Sequence, residues 1–368
     1  MIYLNNASQT KVKPEVIEVI TDILQNHWGN ESDMYNFGLE SKRILEESRV
    51  VIANAINAEP EEIYFTASGS MANALAINGY LHKHGGFCII SNIEHSSIIK
   101  NANPYILKVH SDYQGFINKT VLEEKLRGND KSLVSIMYAN NEIGSINDIK
   151  SLCEIAHKYN CIFHTDAVQY FPYYNIDVKD IGVDMLSFSG HKIGAPSGIG
   201  VLYIKKGINL SPIVPGTQED GLIGGTRNIA YIAGLAKAVE LIDYSKTKEI
   251  EYKRNYLWDK LLNTNLGTSL YLNGTSDWNK RLSNNLNFQI VGVDNQQLIA
   301  LLDMNKLCVS AGSACCSGES KPSHVLKAIG LNDKEANESI RVTLSEYTTF
   351  KELDIFVDTL KQCIKMLL

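Results

Sequence analysis

One lysine stands in a polar setting directly after an apolar stretch. Residues 183–188 are apolar apart from Asp184 and Ser187, which is typical of a buried strand. The chain continues as Ser189-Gly190-His191-Lys192 and then as a Gly-containing loop, where backbone can come close to a ligand. A lysine amine in this position suits a Schiff base with an aldehyde cofactor, and the hydroxyls and the imidazole suit a phosphate. From this stretch alone, an exposed lysine in an ordinary loop is the alternative.

A second polar turn lies earlier in the chain. Residues 63–66 are predicted as a strand, which runs into Ala67-Ser68-Gly69-Ser70 and then into a helix over 71–81. A strand, a turn of small residues and a helix together offer backbone N–H groups and the helix dipole to a phosphate. Such turns also occur as plain connections, so this one is a candidate phosphate site only if other groups join it.

The elements that must position these residues alternate between strand and helix. Strands are predicted at 87–91, 133–138, 161–166, 184–189 and 200–204, and helices at 14–24, 39–56, 149–159 and 232–244. This alternation predicts an α/β fold with a mostly parallel sheet and helices on both faces. Ligands of such sheets lie beyond the carboxyl ends of the strands. Polar residues follow predicted strands at five places, which favours one shared site: Ser70, His95, Asn141, Asp166 and Lys192.

The rest of the chain reads as a second, smaller unit. Residues 246–260 are rich in charge and predict a long exposed helix that joins two domains. Beyond it we predict strands at 286–290 and 339–344, helices at 296–302, 323–329 and 349–367, and a turn over 310–318. The division that we expect is a large domain over 14–255 and a smaller α+β domain made of 1–13 and 256–368.

Composition narrows the class of protein. The chain has 368 residues and a net charge of -6, which argues against non-specific binding of nucleic acid. No signal peptide is visible and no apolar run is long enough to span a bilayer. Seven cysteines are scattered without a spacing that suggests a zinc site. We therefore expect reduced thiols, a cytoplasmic location, and no membrane, nucleic-acid or metal partner.

The order of the motifs along the chain resembles one family. The sequence is similar to the cysteine desulfurases of the NifS/IscS-like group, which are pyridoxal 5'-phosphate (PLP) enzymes of fold type I in the class V aminotransferase-like family. The segments that carry the resemblance are 3–7, Glu94-His95, 140–144, 165–169, 189–192, Gln218-Glu219, Gly225-Thr226, 310–315 and 340–342.

The resemblance implies a role for each residue around the cofactor. Lys192 would carry PLP and act as the base at the substrate Cα, while Asp166 would face the pyridine nitrogen. His95 would stack on the ring and assist proton transfers. The cofactor's ring oxygen would be bound by Gln169 and by Asn141, or by Asn140 if the register differs by one. The phosphate would lie on Gly69, Ser70, Ser189 and His191, with Thr226 reaching in from the other subunit of a homodimer.

The resemblance also implies how the substrate is handled. Arg341 would bind the substrate carboxylate with both arms of its guanidinium, and Asn141 would help. The nucleophile would be Cys315, whose thiolate attacks the sulfur of cysteine and becomes a persulfide while alanine leaves. Its neighbour Cys316 would accept that sulfur, form a strained disulfide with Cys315, or do nothing.

Several residues differ from the family's pattern. They lie around the expected substrate entrance and subunit contact: Asn5, Glu31, Tyr35, Met71, Asp220, Ile223, Arg227 and Ser345-Glu346. Two arginines that usually follow Gln218-Glu219 are absent, and Arg227 is expected to supply the missing positive charge.

The resemblance thus implies an enzyme that converts L-cysteine to L-alanine and passes the sulfur to an acceptor protein. Iron–sulfur cluster assembly and the thiolation of tRNA or of a cofactor are the two expected destinations. Two alternatives stay open: a selenocysteine lyase or another PLP lyase on the same scaffold, and a PLP-binding scaffold or regulatory subunit of low activity.

Overall fold

The computed structural model describes residues 1–312 and 322–368. In this part of the chain the strands are β1 (Ile2–Tyr3), β2 (Ile63–Thr66), β3 (Cys88–Ser91), β4 (Ile106–Val109), β5 (Leu133–Ser135), β6 (Ile162–Asp166), β7 (Met185–Ser189), β8 (Gly200–Ile204), β9 (Leu270–Leu272), β10 (Asn285–Ile290), β11 (Leu307–Cys308) and β12 (Ser339–Thr343). The α-helices are α1 (Pro14–Asn26), α2 (Asn36–Ala55), α3 (Gly69–His84), α4 (Ser96–Ala102), α5 (Lys119–Leu126), α6 (Ile149–Lys158), α7 (Val178–Ile181), α8 (Ile229–Glu240), α9 (Thr247–Asn263), α10 (Asn295–Met304), α11 (His324–Ala328), α12 (Asp333–Asn337) and α13 (Phe350–Leu367).

A seven-stranded sheet in the order β2-β8-β7-β6-β5-β3-β4 forms the centre of the larger unit. Neighbours from β7 through β6, β5 and β3 to β4 run parallel, whereas β8 is antiparallel to both β7 and β2. The predicted mostly parallel α/β sheet is confirmed. The carboxyl ends of the parallel strands meet at one edge, which is where the candidate residues were expected.

Both faces of this sheet are covered, and β8 shows why its sequence is apolar throughout. Successive side chains of a strand point to opposite faces. Val201 and Tyr203 accordingly pack into the core that includes Val16, while Leu202 and Ile204 pack into the core that includes Leu75. A strand that is buried on both faces needs no polar side, so its apolar run lacks the alternation of a half-exposed strand.

A three-stranded antiparallel sheet, β12-β10-β9, forms the smaller unit together with α9, α10 and α13. The amino-terminal residues join it, because β1 pairs with β11 and Asn5 bridges to Thr343. The long helix predicted over residues 246–260 is confirmed as α9, but the expectation that it is exposed is wrong. Helix α9 buries Ile250, Leu257 and Leu261 against the second core.

The expected division of the chain into domains stays a prediction. Its boundary after residue 255 falls inside α9. Across the described ranges, 1–312 and 322–368, no helix is both long enough and apolar enough to cross a membrane.

Candidate active site

A cavity of about 220 Å³ opens at the carboxyl ends of the parallel strands. Ten of the residues singled out from the sequence line it: Gly69, Ser70, His95, Asn141, Asp166, Gln169, Ser189, His191, Lys192 and Arg341. The five polar residues that follow predicted strand ends therefore lie on one space, and Arg341 reaches the same space from the smaller unit.

The amino terminus of α3 forms one end of the cavity. Ser68 caps the helix by accepting the backbone N–H of Met71 at 3.1 Å. At Gly69 a Cβ atom would lie 3.1 Å from the Cβ of Ser189, so the absence of a side chain lets the helix end approach strand β7 closely. The end of a 16-residue helix offers free N–H groups and a favourable dipole to an anion.

His191 adds an uncharged hydrogen-bonding group beside that helix end. Its Nδ1 lies 2.7 Å from the Ser189 hydroxyl. Burial, with the neighbouring charges of Lys192 and His95, lowers the pKa of His191 to about 4. The imidazole is therefore neutral near pH 7, and it can bind a phosphate oxygen as a hydrogen-bond donor rather than as a cation.

Asp166, at the end of β6, is held in a fixed orientation. Its Oδ1 accepts the backbone N–H of Val168 at 3.0 Å, and its Oδ2 accepts the side-chain amide of Asn73 at 2.8 Å. The same Asn73 amide donates to Ser97 at 2.9 Å. Sequence reasoning missed Asn73. The signal was there, because an amide interrupts the otherwise apolar run of α3 over 72–77.

Lys192 lies in the 3-10 turn that follows β7, and its amine reaches the amino-terminal segment. Its Nζ donates to the carbonyl of Ala7 at 2.6 Å and also to that of Ser8. Gln169 donates its side-chain amide to the same Ala7 carbonyl at 2.9 Å. Residues 7 and 8 therefore form a wall of the cavity and hold the lysine amine beside it.

The two candidate asparagines are separated by the structure. Asn141 lines the cavity, whereas Asn140 is buried and donates its amide to the carbonyl of Ile93 at 2.9 Å. His95 caps α4, because its Nδ1 accepts the backbone N–H of Ser97 at 3.2 Å. That bond fixes the imidazole at the cavity wall.

Arg341, on β12, is buried with 1% of its surface exposed and reaches the cavity from the smaller unit. Its Nη1 donates to the backbone carbonyl of Asn141 at 2.9 Å, and its Nη2 donates to Asn5 Oδ1 at 2.9 Å. Asn5, one of the residues that differ from the family's pattern, is thus a neutral partner of the guanidinium. A guanidinium held in this way suits a carboxylate ligand.

One further candidate, Thr226, does not line this cavity. Thr226 is exposed on the surface. Cys315, like Cys316, lies outside the described residues. The preceding segment does run close to the site, because Ser310 exchanges backbone hydrogen bonds with Arg341 at 3.1 and 2.6 Å.

Two buried titratable groups, His164 and Glu94, do not line the cavity. His164 lies between the hydroxyls of Ser135 and Ser187 at 2.8 and 2.9 Å, and burial lowers its pKa to about 3. Burial raises the pKa of Glu94 to about 8, in spite of the short hydrogen bond of 2.5 Å from Ser91. The sequence alone suggested no individual role for His164 or for Glu94.

A larger cavity of about 520 Å³ is lined by other residues of the amino-terminal segment and shares Lys192 with the first. Its lining lacks Asp166, His191 and the end of α3. The groups that could hold a charged aromatic cofactor line the smaller cavity. The smaller cavity, and not the larger one, is therefore the candidate active site.

The lining of the smaller cavity fits PLP on its own chemistry. A helix amino terminus with hydroxyls suits the phosphate, a carboxylate suits the pyridine nitrogen, and a lysine amine suits the aldehyde. One further observation points to a polar occupant. Among the described residues the buried Oδ1 of Asn73 has no hydrogen-bond partner, and Asn73 lines this cavity.

Comparison with known proteins places this site in context. The family model for "Aminotransferase class-V" matches residues 2–356. The chain is 39% identical to a cysteine desulfurase IscS of Dictyoglomus turgidum over all of this chain and 95% of that protein. It resembles the structure of a NifS-like protein from Rickettsia africae, with a TM-score of 0.90, 32% identity and 99% of each chain covered. It also resembles a structure described as SspA in complex with cysteine, with a TM-score of 0.82, 30% identity, and 95% of this chain and all of that one covered.

Proposed function

The chain belongs to the class V aminotransferase family, in its cysteine desulfurase branch, and we propose that it converts L-cysteine to L-alanine and delivers the sulfur to an acceptor. The predicted resemblance, the fold type and PLP as the cofactor are confirmed by the full-length match to this family. The observation that carries the proposal is the convergence of Lys192, Asp166 and Arg341 on one cavity.

The residues at the inner end of the cavity would hold the cofactor. The phosphate would lie on Gly69, Ser70, Ser189 and His191, the pyridine nitrogen would face Asp166, and Lys192 would hold the aldehyde carbon. When bound, PLP withdraws electrons from the substrate Cα and so makes the Cα proton acidic. Asp166, whose carboxylate is held by Asn73 and Val168, would support this by accepting the proton-bearing pyridine nitrogen as its hydrogen-bond donor.

The remaining polar groups would orient the substrate and move protons. Arg341 would bind the carboxylate of cysteine, with its guanidinium held by Asn5 and Asn141. The amine of Lys192 would take and return the proton at Cα, since it lies on the cavity and within reach of the backbone of residues 7 and 8. His95 would stand by the ring face as a second proton carrier.

Cys315 would receive the sulfur. In this step the Cys315 thiolate attacks the sulfur of bound cysteine, a new S–S bond forms, the C–S bond breaks, and alanine leaves after protonation. The position of Ser310 beside Arg341, which lines the cavity, supports this proposal, because Cys315 is only five residues further along the sequence.

We also propose a cytoplasmic homodimer in which Thr226 completes the phosphate site of the other subunit. The exposure of Thr226, away from the cavity of its own chain, supports a role in a second subunit. The five described cysteines are free thiols, in line with a reducing compartment. The acceptor would be a protein of iron–sulfur cluster assembly or of a tRNA or cofactor thiolation pathway.

The proposal is tested by measuring alanine and sulfide released from L-cysteine in the presence of a thiol reductant. Wild type should release both, Cys315→Ser should release neither, and Cys316→Ser serves as the matched control one residue away. Activity of Cys315→Ser equal to wild type would remove Cys315 as the nucleophile. A preference for selenocysteine in that variant would favour the selenocysteine lyase alternative.

A further inference from the structure

The exposed Thr226 is flanked by two residues that are tied to other parts of the chain. On one side, the backbone N–H of Gly225 donates to the side-chain oxygen of Gln218 at 3.1 Å. On the other side, the guanidinium of Arg227 binds two carboxylates. The position of Thr226 is therefore set by its neighbours, while Thr226 itself is exposed.

The ion pairs of Arg227 are a stronger interaction than the hydrogen bond of Gly225. Its Nε donates to Glu219 at 2.5 Å and its Nη1 donates to Glu31 at 3.2 Å. Both carboxylates are buried, with 4% of Glu219 and 7% of Glu31 exposed. A buried carboxylate that loses a cationic partner is strongly disfavoured, so the guanidinium cannot swing away without penalty.

Through Glu219, the ion pair of Arg227 is connected to a helix and a strand rather than to another loop. Glu219 also accepts a hydrogen bond from Arg49 of α2 at 3.2 Å and from the backbone N–H of Phe65 at 2.9 Å. Phe65 belongs to β2, the strand that runs directly into the turn before α3. One carboxylate thus joins the turn at Thr226 to the strand that leads to this subunit's own phosphate turn.

Two members of this cluster, Glu31 and Arg227, are places where the sequence differs from the family's pattern. The structure puts them in direct contact, so the two differences form one ion pair. This also bears on the expectation that Arg227 supplies positive charge at the substrate entrance. Its guanidinium binds Glu31 and Glu219, and it does not line the cavity.

We propose that Arg227 is a positioning residue which, held by Glu31 and Glu219, presents Thr226 to the cofactor phosphate of the second subunit. The inference rests on the proposed homodimer with Thr226 in the partner's phosphate site. It goes further in assigning the fixed placement of that threonine to a specific buried ion pair of this chain.

The test measures the dissociation constant of PLP by titrating the cofactor-free protein. Thr226→Ala should raise it roughly tenfold or more, because a hydrogen bond to a charged phosphate is lost. Arg227→Met should raise it by a similar factor. Because both changes remove the same contact, Thr226→Ala combined with Arg227→Met should bind PLP no more weakly than Thr226→Ala alone.

Two further variants control for folding. In Glu31→Met combined with Arg227→Met the ion pair is replaced by apolar side chains, and Glu219 keeps Arg49 as its cationic partner. This variant should fold although Arg227 no longer holds the turn, so PLP should remain weakly bound. Arg43→Met removes an ion pair with Glu47 that is exposed on the same helix as Arg49, and PLP affinity should not change. The dimer fraction of every variant is measured by sedimentation at the same concentration.

Each other outcome overturns the inference in a distinct way. If the effects of Thr226→Ala and Arg227→Met multiply, or if Arg227→Met binds PLP like wild type, then Arg227 does not act through Thr226. A loss of affinity that follows only from dissociation of the dimer contradicts it as well. If Thr226→Ala itself leaves PLP affinity unchanged, the proposed placement of Thr226 in the second subunit fails, while cysteine desulfuration by the wild type is unaffected.

Discussion

Asn73 donates its side-chain amide to Asp166 Oδ2 at 2.8 Å and so links helix α3 to the carboxyl end of β6. The contact joins residues 93 positions apart in the sequence. It fixes the carboxylate that we assign to the pyridine nitrogen, and it places the side chain of Asn73 on the same cavity.

Asn73→Ala should lower kcat on the order of tenfold or more, because Asp166 loses a charge-assisted hydrogen bond and its orientation. PLP affinity should fall as well. Asn78→Ala is the matched control, since Asn78 lies on the same helix and donates to Asn101 at 2.8 Å away from the cavity. Steady-state kinetics of the two variants check this, and equal kinetics in both would contradict the role of Asn73.

Arg341→Lys should raise the KM for L-cysteine roughly 10- to 100-fold with a smaller change in kcat, because an ammonium cannot bind a carboxylate with two parallel hydrogen bonds. Cysteamine, which is cysteine without its carboxylate, provides the control substrate. Wild type and variant should use it equally poorly. If instead the variant loses activity on both substrates to the same degree, Arg341 serves the structure rather than the carboxylate.

Gly69→Ala should weaken PLP binding while leaving thermal stability unchanged or slightly higher. The added methyl group would crowd Ser189 and Val168 at 3.1 Å and displace the hydroxyl at the phosphate end of the cavity. Alanine is otherwise favoured over glycine in a helix. Cofactor titration and thermal unfolding are measured together, and weaker PLP binding accompanied by a large fall in Tm would point to general disruption instead.

His164 should make the protein less stable as the pH falls. Its pKa is about 3 in the folded protein and about 6.5 when unfolded, so the unfolded state binds more protons between these values. Stability from this group is therefore complete above about pH 6.5 and is lost as the pH falls towards 3, by ~2 kcal/mol at about pH 5. Chemical unfolding of wild type and His164→Gln across this range measures the difference, which should widen in acid in favour of the variant. A difference independent of pH would show that His164 does not stay neutral.

The parallel sheet and most cavity residues could be predicted because their signals are local. Each parallel strand is an apolar run that ends on polar residues. The local sequence pattern therefore predicted that Asp166 and Lys192 lie at or just after strand ends. The direction of β8 could not be predicted, since a strand buried on both faces has the same composition whichever way it runs.

Other features depend on contacts between distant residues. Helix α9 looked exposed because of its charges, yet Arg254 is fully buried and donates to the carbonyl of Leu282 at 2.8 Å. Strands β1 and β11 have two residues each and exist only through their pairing. The role of Asn73 is of the same kind, because no local pattern names the carboxylate that it contacts.

The amino-terminal segment also has a consequence for the timing of biosynthesis. Asn6 donates to the carbonyl of Thr343, 337 positions later, and the adjacent Ala7 carbonyl accepts the amine of Lys192. Residues 6–8 leave the ribosome before Thr343, the residue that Asn6 contacts, because synthesis runs from the amino to the carboxyl end. We therefore expect the large sheet to fold during translation and the wall of the cavity to close only after residue 343 is free, so that cofactor capture follows translation.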